Sequence, residues 1–391
     1  MRAAGRWHAR AFGRDRFISD GDLHRPFCGR GACVLDLMQR LGWNFSRQQE
    51  LEQLNQPLYQ PARVAVEHRG GYGLIGCGVS AGKLSGRLRH LADVSGRRPC
   101  VGDWVAVRPG RDAATIEAIL SRKTLLSRRQ AGGALQEQVV AANVDLVFVV
   151  TSANGDFNLR RLERYLATVW SSGAQPLLVL SKTDVCESSG PFIHELAKVA
   201  HGAPIVATSA ATGLGLQELR ACILPGATAA MIGSSGVGKS SLLNALLGQN
   251  KHATREIRAA DEKGRHATTR RELVELAEGC LIDTPGMREV GLWDAAVGTQ
   301  RAFEEVEALA QTCRFSDCRH ASEPGCAVRM AAEVGVLDLG RLANYERLQR
   351  EQTRLEAQYD LRAREQAKQR TKSIHKQRRA RSKVDPKLRE D

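Results

Sequence analysis

Eight consecutive residues constrain this chain more than any other feature: Gly233-Ser234-Ser235-Gly236-Val237-Gly238-Lys239-Ser240. They fit the phosphate-loop pattern G-x-x-x-x-G-K-S in its required setting. The apolar run Ala229 to Ile232 predicts a buried strand before the loop, and Ser240 to Leu247 predicts a helix after it. Glycines at these spacings let successive backbone N–H groups turn inward around a β-phosphate. Lys239 neutralises the β- and γ-oxygens, and the Ser240 hydroxyl, with Ser241 next in the nucleotide-binding set, opens the helix where Mg²⁺ is held.

Other apolar runs place the loop in an α/β sheet. Asp145 to Val150, Pro176 to Leu180, Pro204 to Thr208 and Gly279 to Asp283 read as buried strands, with the helical pattern Leu159 to Val169 among the segments between them. Strands alternating with helices predict a parallel sheet covered on both faces. Upstream, short β-rich runs (Ala62 to Val66, Gly73 to Gly76, Asp103 to Val107, Thr115 to Ile119) predict a small barrel of the oligonucleotide-binding (OB) type. Before these, helices are expected around Val34 to Leu41 and Arg47 to Leu54. After Gln300 strands give way to helix, a Cys/His knot and a long charged helix from about Leu339. The expected organisation is a partly disordered extension (1–58), an OB barrel (59–130), an α/β nucleotide domain (131–299), a mostly helical zinc-binding domain (300–360) and a basic tail (361–391).

A phosphate loop does not choose its base. Leu180-Ser181-Lys182-Thr183-Asp184 ends one predicted strand, where ligands meet an α/β sheet. The Asp184 carboxylate can accept from guanine N1–H and the 2-amino group, donors that adenine lacks, while the Lys182 stem covers the base. At the next strand end, Ser209-Ala210 can offer a backbone N–H to guanine O6. Beyond the loop, Asp283-Thr284-Pro285-Gly286 places Asp283 to reach Mg²⁺ through water and the Gly286 N–H to sense a γ-phosphate. The polar segment Gly264 to Arg270 lies between, and Thr269 rather than Thr268 is expected to complete the Mg²⁺ shell. The order is informative: base-reading residues precede the phosphate loop, whereas in ordinary guanine-nucleotide switches they follow the Asp-x-x-Gly segment. The domain therefore reads as circularly permuted, with the Asp283 loop leading directly into the Cys/His knot.

That knot is Cys313, Cys318, His320 and Cys326, three thiolates and an imidazole within 14 positions. Four protein donors suit tetrahedral Zn²⁺ and leave no open position, so the expected site is structural. Arg314, Arg319 and Arg329 flank it as candidate RNA contacts. The scattered Cys77, Cys100, Cys222 and Cys280 read as buried free thiols, which favours a reducing, cytoplasmic setting. No apolar run approaches the roughly 18–20 residues that cross a bilayer, and residues 1–30 lack the apolar core of a signal peptide. The net charge is +14, of which 361–391 carries +8 and 1–30 carries +4, leaving +2 on the residues between. Basic ends on a near-neutral body suit either a polyanionic partner or a solvated tail.

On these motifs, together with Ala142-Asn143-Val144-Asp145 and the stretch Asp156 to Leu162, the sequence resembles the RsgA (YjeQ) family of circularly permuted GTPases over about residues 60–360. The resemblance implies an OB-type barrel, a central GTPase domain and a zinc domain. It further implies a cytoplasmic, monomeric GTP hydrolase using GTP/GDP, Mg²⁺ and one structural Zn²⁺. Such an enzyme acts on the small ribosomal subunit and its rRNA, and assists late maturation in a subunit-stimulated manner. One departure is Ser181, where the family commonly has Asn; its hydroxyl can still bridge to the phosphate loop, and weak nucleotide affinity is expected. Met287 stands where many switch proteins orient the attacking water with Gln. Unaided turnover should therefore be slow, with His266 the candidate water-orienting group and an exposed loop or RNA-contacting histidine the alternative. Two rival functions are a constitutive RNA-binding module whose nucleotide site only stabilises the fold, and an ATP-dependent small-molecule kinase.

Overall fold

A computed structural model describes residues 31–129, 137–248, 271–277, 279–284 and 296–358. Two helices, α1 (Gly31–Arg40) and α2 (Phe45–Gln53), precede five strands: β1 (Gln60–His68), β2 (Gly71–Ile75), β3 (Ala81–Leu84), β4 (Trp104–Arg108) and β5 (Ala114–Ile119). The strands run in the order β1-β2-β3-β5-β4, and β4 returns to pair with β1, closing a barrel. All pairings are antiparallel except β3 with β5. Alternation along β1 sends Ala62 and Val64 inward, where they pack with Leu74, Val105, Val107 and Ile116. The four β-rich runs expected from the sequence are β1, β2, β4 and β5. The sequence pattern missed β3 and the helix after it, α3 (Gly86–Ser95), because β3 is four residues with a single buried position. Ser85 caps α3 by accepting from Leu88 N–H at 3.2 Å, and Gly96 ends it at φ 72°.

A hairpin of β6 (Leu125–Arg129) and β7 (Glu137–Ala142) leads on, so the expected 130/131 boundary falls within it. Then follow β8 (Leu146–Ser152), α4 (Leu159–Ser171), β9 (Gln175–Ser181), α5 (Gly190–Ala200), β10 (Ile205–Ala207), α6 (Leu216–Ala221), β11 (Thr228–Ile232), α7 (Lys239–Leu247), β12 (Glu272–Glu275) and β13 (Cys280–Asp283). The sheet order is β10-β9-β8-β11-β13-β12, parallel up to β13 with β12 antiparallel. One face, with Val147, Val149, Leu178 and Ile232, packs on α4 through Leu162 and Leu166. The other, with Phe148, Val150, Val179 and Met231, packs on Leu219 of α6 and on Leu242 and Leu246 of α7. β12 also pairs with β1 at Glu272 and Val66, so barrel and nucleotide sheet are continuous.

Residues 31–53, within the segment expected as an extension, wedge α1 and α2 into the seam between barrel and sheet. Trp43 packs on Trp104 at 4.8 Å, and the buried Arg47 donates to Asn143 Oδ1 at 2.6 Å. The equally buried Arg63 donates to the carbonyls of Leu41, Gly102 and Asn143. Asn143 is left-handed (φ 55°), and its amide donates to Gly102 O at 3.1 Å, so it bonds all three parts at once.

The C-terminal module contains α8 (Ala296–Ala302), α9 (Glu304–Ala310), α10 (Ala327–Glu333) and a helix over residues 339–358, α11. α8 lies directly on α4: a Cβ at Gly298 would overlap the Ala167 carbonyl, and Gly298 N–H donates to Ser171 Oγ at 2.8 Å. Among the described residues no helix is long and apolar enough to cross a membrane. The basic tail 361–391 and residues 1–30 lie outside the described residues.

Candidate functional site

The phosphate loop leaves the C-terminal end of β11 and enters α7, in the crevice where parallel strands present ligands. Val237 anchors it by packing into the core with Leu242 and Leu246. Gly233 has φ 148° and Gly238 φ 96°, and a Cβ at Gly233 would overlap the Val150 carbonyl, so only glycine allows this path. Lys239 Nζ donates to the carbonyls of Gly233 (2.7 Å) and Ser234 (2.5 Å), folding back over the loop's own start. Ser235 and Gly236 are exposed at the rim, and Ser240 and Ser241 lie partly exposed in the first turn of α7.

The residues expected to read the base come to the same crevice. The buried Ser181 hydroxyl, at the end of β9, lies within hydrogen-bond reach of Thr151 O (2.9 Å) and of Val237 O in the phosphate loop. Lys182 takes a left-handed conformation (φ 57°) and lays its stem against Gly238, 3.7 Å from where a Cβ would sit. Asp184 is exposed in the short 3-10 turn that follows. Thr183 donates to Thr208 O through its N–H (3.2 Å) and its hydroxyl (3.1 Å), tying this loop to the one after β10. There the buried Ser209 accepts from Thr212 N–H at 3.1 Å, and Ala210 packs at the edge of the core. The permutation read from the motif order is the observed topology: β9 and β10 precede β11 in the chain and lie on its β8 side in the sheet, with β8 between β9 and β11.

Asp283 ends β13, buried beside β11, and the Thr284 hydroxyl donates to Met231 O just before the phosphate loop. Asp283 at the end of β13, and Ser240 in the first turn of the helix that follows the neighbouring β11, carry oxygen donors of the kind that Mg²⁺ takes. Gly286, Met287, His266, Thr268 and Thr269 lie outside the described residues. The sequence reading did not single out Tyr165 of α4, which is buried and whose hydroxyl pKa burial pushes up. In the sequence Tyr165 is indistinguishable from a core aromatic on an amphipathic helix. A cavity of about 290 Å³ lies instead at the opposite strand ends, lined by Arg47, Arg63, Asn143, Asp145 and Thr228. It belongs to the seam with α1 and α2 and holds none of the phosphate-loop residues.

The four knot residues converge, with all donor atoms within 4.8 Å of one another. Cys313 and Cys326 Sγ are 3.9 Å apart, and His320 Nδ1 lies 3.6 and 3.4 Å from them. A tetrahedron with Zn–S near 2.3 Å has edges of about 3.8 Å, so the set fits zinc. His320 is left-handed (φ 59°), turning its ring back onto the sulfurs, and Arg329 N–H donates to Cys326 Sγ at 3.4 Å. Burial, the largest single influence, raises the Cys313 thiol pKa, but hydrogen bonds from the Val328 and Ala327 backbone and from the Cys318 and Cys326 thiols together leave it lowered. Burial and the neighbouring thiols push Cys318 up to about 11. Of the scattered cysteines, Cys77, Cys100 and Cys280 are buried and Cys222 half-buried, all free.

Comparison with known proteins agrees with this geometry. A family model described as RsgA GTPase matches residues 119–293. A relative from Opitutus terrae, named small ribosomal subunit biogenesis GTPase RsgA, is 43% identical over 363 residues, covering 89% of this chain and 98% of that protein. The crystal structure of YjeQ from Thermotoga maritima superposes with a TM-score of 0.57 at 28% identity, over 74% of this chain and 97% of that one. The crystal structure of YloQ, titled a circularly permuted GTPase, gives 0.52 at 21% identity over 77% and 96%.

Proposed function

Since the chain belongs to the RsgA GTPase family, a family of GTP-hydrolysing enzymes, we propose that it binds the small ribosomal subunit, hydrolyses GTP in a subunit-stimulated manner and assists late subunit maturation. The observation that carries the choice of GTP is the pair of strand-end loops, Ser181 to Asp184 and Ser209 to Ala210, tied together through Thr183 and held against the phosphate loop by Ser181. In this reading Asp184 accepts from the guanine N1–H and 2-amino group, the Lys182 stem covers the base, and Ala210 N–H serves O6. The loop Gly233 to Ser240 wraps the phosphates, and Lys239 exchanges its two carbonyl partners for phosphate oxygens. Bound Mg²⁺ neutralises charge on the β- and γ-phosphates. Ser240, Asp283 and Thr269 are the residues proposed to hold it.

The proposed division of the chain is extension, OB barrel, GTPase domain, zinc domain and basic tail. Barrel and zinc knot are the proposed rRNA-contacting surfaces, with Cys313, Cys318, His320 and Cys326 holding one structural Zn²⁺. The protein is taken to act as a cytoplasmic monomer. Gly286 is assigned to γ-phosphate sensing and His266 to water orientation, with Met287 unable to perform the latter.

The decisive measurement is GTP turnover with and without purified small ribosomal subunits, with ATP as competitor. The expected result is slow unaided turnover, strong stimulation by subunits and no displacement by ATP. Absence of stimulation would favour a passive RNA-binding module, and displacement by ATP would remove the guanine-reading assignment.

A further inference from the structure

We infer that the cavity of about 290 Å³ at the joint of α2, β1 and β11 is a second ligand site, which takes the oxyanion group, phosphate or carboxylate, of a small molecule. The inference is independent of the reading that the phosphate loop holds GTP, because the cavity lies at the opposite strand ends.

The charges around the cavity come first. Its buried lining side chains include Arg47 of α2 and Arg63 of β1 but no acid. The acid in the lining, Asp145, is exposed, as is Lys123, so these two balance at the rim and the interior stays cationic. Arg47 is paired, with Glu50 Oε2 at 3.2 Å. Arg63 is 1% exposed and has no ion-pair partner among the described residues. A guanidinium carries five N–H donors. Each nitrogen of Arg63 spends one, on the carbonyls of Gly102 (3.3 Å), Leu41 and Asn143 (3.2 Å), so each terminal nitrogen keeps one hydrogen in hand. Carbonyls satisfy hydrogens but bring no counter-charge, and a charge withdrawn from water without one is costly.

β11 supplies a second, independent observation. Thr228 lines the same cavity, is 1% exposed, and its hydroxyl has no hydrogen-bond partner among the described residues. Its backbone N–H, by contrast, donates to Asp145 Oδ2 at 2.8 Å, which commits that carboxylate to the strand. The missing component is thus an acceptor that also carries negative charge, and an oxyanion is both. Water would serve the hydroxyl and leave the Arg63 charge unbalanced. The volume sits at the lower end for small-molecule pockets, which begin at about 300 Å³, so the occupant is a compact molecule and not a polymer strand. Because Arg47, Arg63 and Thr228 belong to the helical pair, the barrel and the nucleotide sheet, a bound anion would tie all three together and stabilise the joint by mass action.

The test is calorimetric titration of the full chain with inorganic phosphate and, separately, acetate at constant ionic strength. One saturable equivalent per chain is expected, and the anion that binds more tightly identifies the group. That equivalent should survive Lys239→Ala, which alters the phosphate loop. Thr228→Val keeps the shape of the side chain and removes its hydroxyl; it should weaken the anion about tenfold. The same substitution should not lower the thermal midpoint in anion-free buffer, since it replaces an unpaired buried hydroxyl with a methyl group. No binding of either anion, loss of binding in Lys239→Ala, wild-type anion affinity in Thr228→Val, or a lowered anion-free midpoint in that variant would each overturn the proposal.

Discussion

Asp184 sits exposed in a turn whose entry residue, Lys182, is held left-handed against the phosphate loop, so its position is set by backbone rather than by partners of its own. In the proposed reading this carboxylate would contribute two charge-assisted hydrogen bonds to a guanine. Asp184→Asn should therefore cost GTP binding about 1.5–3 kcal/mol, roughly 10- to 100-fold, while improving binding of xanthosine triphosphate, whose extra carbonyl suits an amide donor. Competition binding of the two nucleotides checks this, and unchanged GTP affinity would remove Asp184 from the site. His201 offers a residue-scale test of how the C-terminal module is held. Its Nε2 faces the Arg341 guanidinium of α11, with Glu305 and Glu304 of α9 nearby. Burial and then Arg341 push its pKa down, against the opposing pull of Glu305 and Glu304. A histidine with a lowered folded pKa binds fewer protons in the native state. Its contribution is therefore present above the unfolded value of about 6.5 and lost as pH falls below it. His201→Gln, which keeps an acceptor but cannot protonate, should flatten the decline in denaturant midpoint between pH 7 and 5.5; superimposable profiles would show that His201 is not the titrating group.

At the scale of elements, what was legible depended on whether a segment's role shows in its own periodicity. β8, β9, β11 and β13 are apolar runs buried on both faces, so they stand out at the expected positions. β3, β6 and β7 are short or mixed in polarity and owe their pairing to neighbours in the barrel and hairpin, so nothing local announced them. The packing of α8 onto α4 was likewise invisible, because Gly298 reads as a helix weakener until Ala167 is seen against it. The Cys/His segment is the opposite case, readable from spacing because four metal donors leave few alternatives. Zinc bound there would be coupled to the folding of short helices whose Val328, Ala331 and Leu337 join the apolar core that also holds Leu162 and Leu166 of α4. Chelation should accordingly unfold the C-terminal module before the nucleotide domain, giving two thermal transitions where the loaded protein gives one. Cys318→Ser should lose the metal. Elemental analysis finding a full complement of zinc in that variant would count against the assigned ligand set.

For the whole molecule, charge and connectivity act together. Residues 361–391 carry 12 Lys and Arg against 4 acids, and follow directly on the helix whose Arg341 and Glu351 grip α4. If the tail neutralises phosphates on a polyanionic partner, its removal should weaken subunit binding and reduce the slope of log affinity against log salt by about 0.7–0.9 for each phosphate no longer neutralised. GTP affinity should stay within a factor of two. An unchanged slope would make the tail a solvated appendage.

The proposed nucleotide site, the Cys/His knot and the permuted order are read from the order of amino acids alone, because each reading rests on residue types whose chemistry has few substitutes at a fixed local spacing: Gly233 to Ser240 proposed for phosphate, Asp184 proposed for guanine, three thiols and an imidazole proposed for zinc. The joining of parts exists only in three dimensions. Arg63 and Arg47 look like surface cations, yet both are buried between barrel, sheet and α1–α2, their charge offset by carbonyls of Leu41, Gly102, Asn143 and Ser121 that lie far apart in sequence. Arg341 and Glu163 gain their roles in the same way. A buried hydrogen bond is defined by both of its ends, and no local pattern specifies the partner that folding brings to the other end.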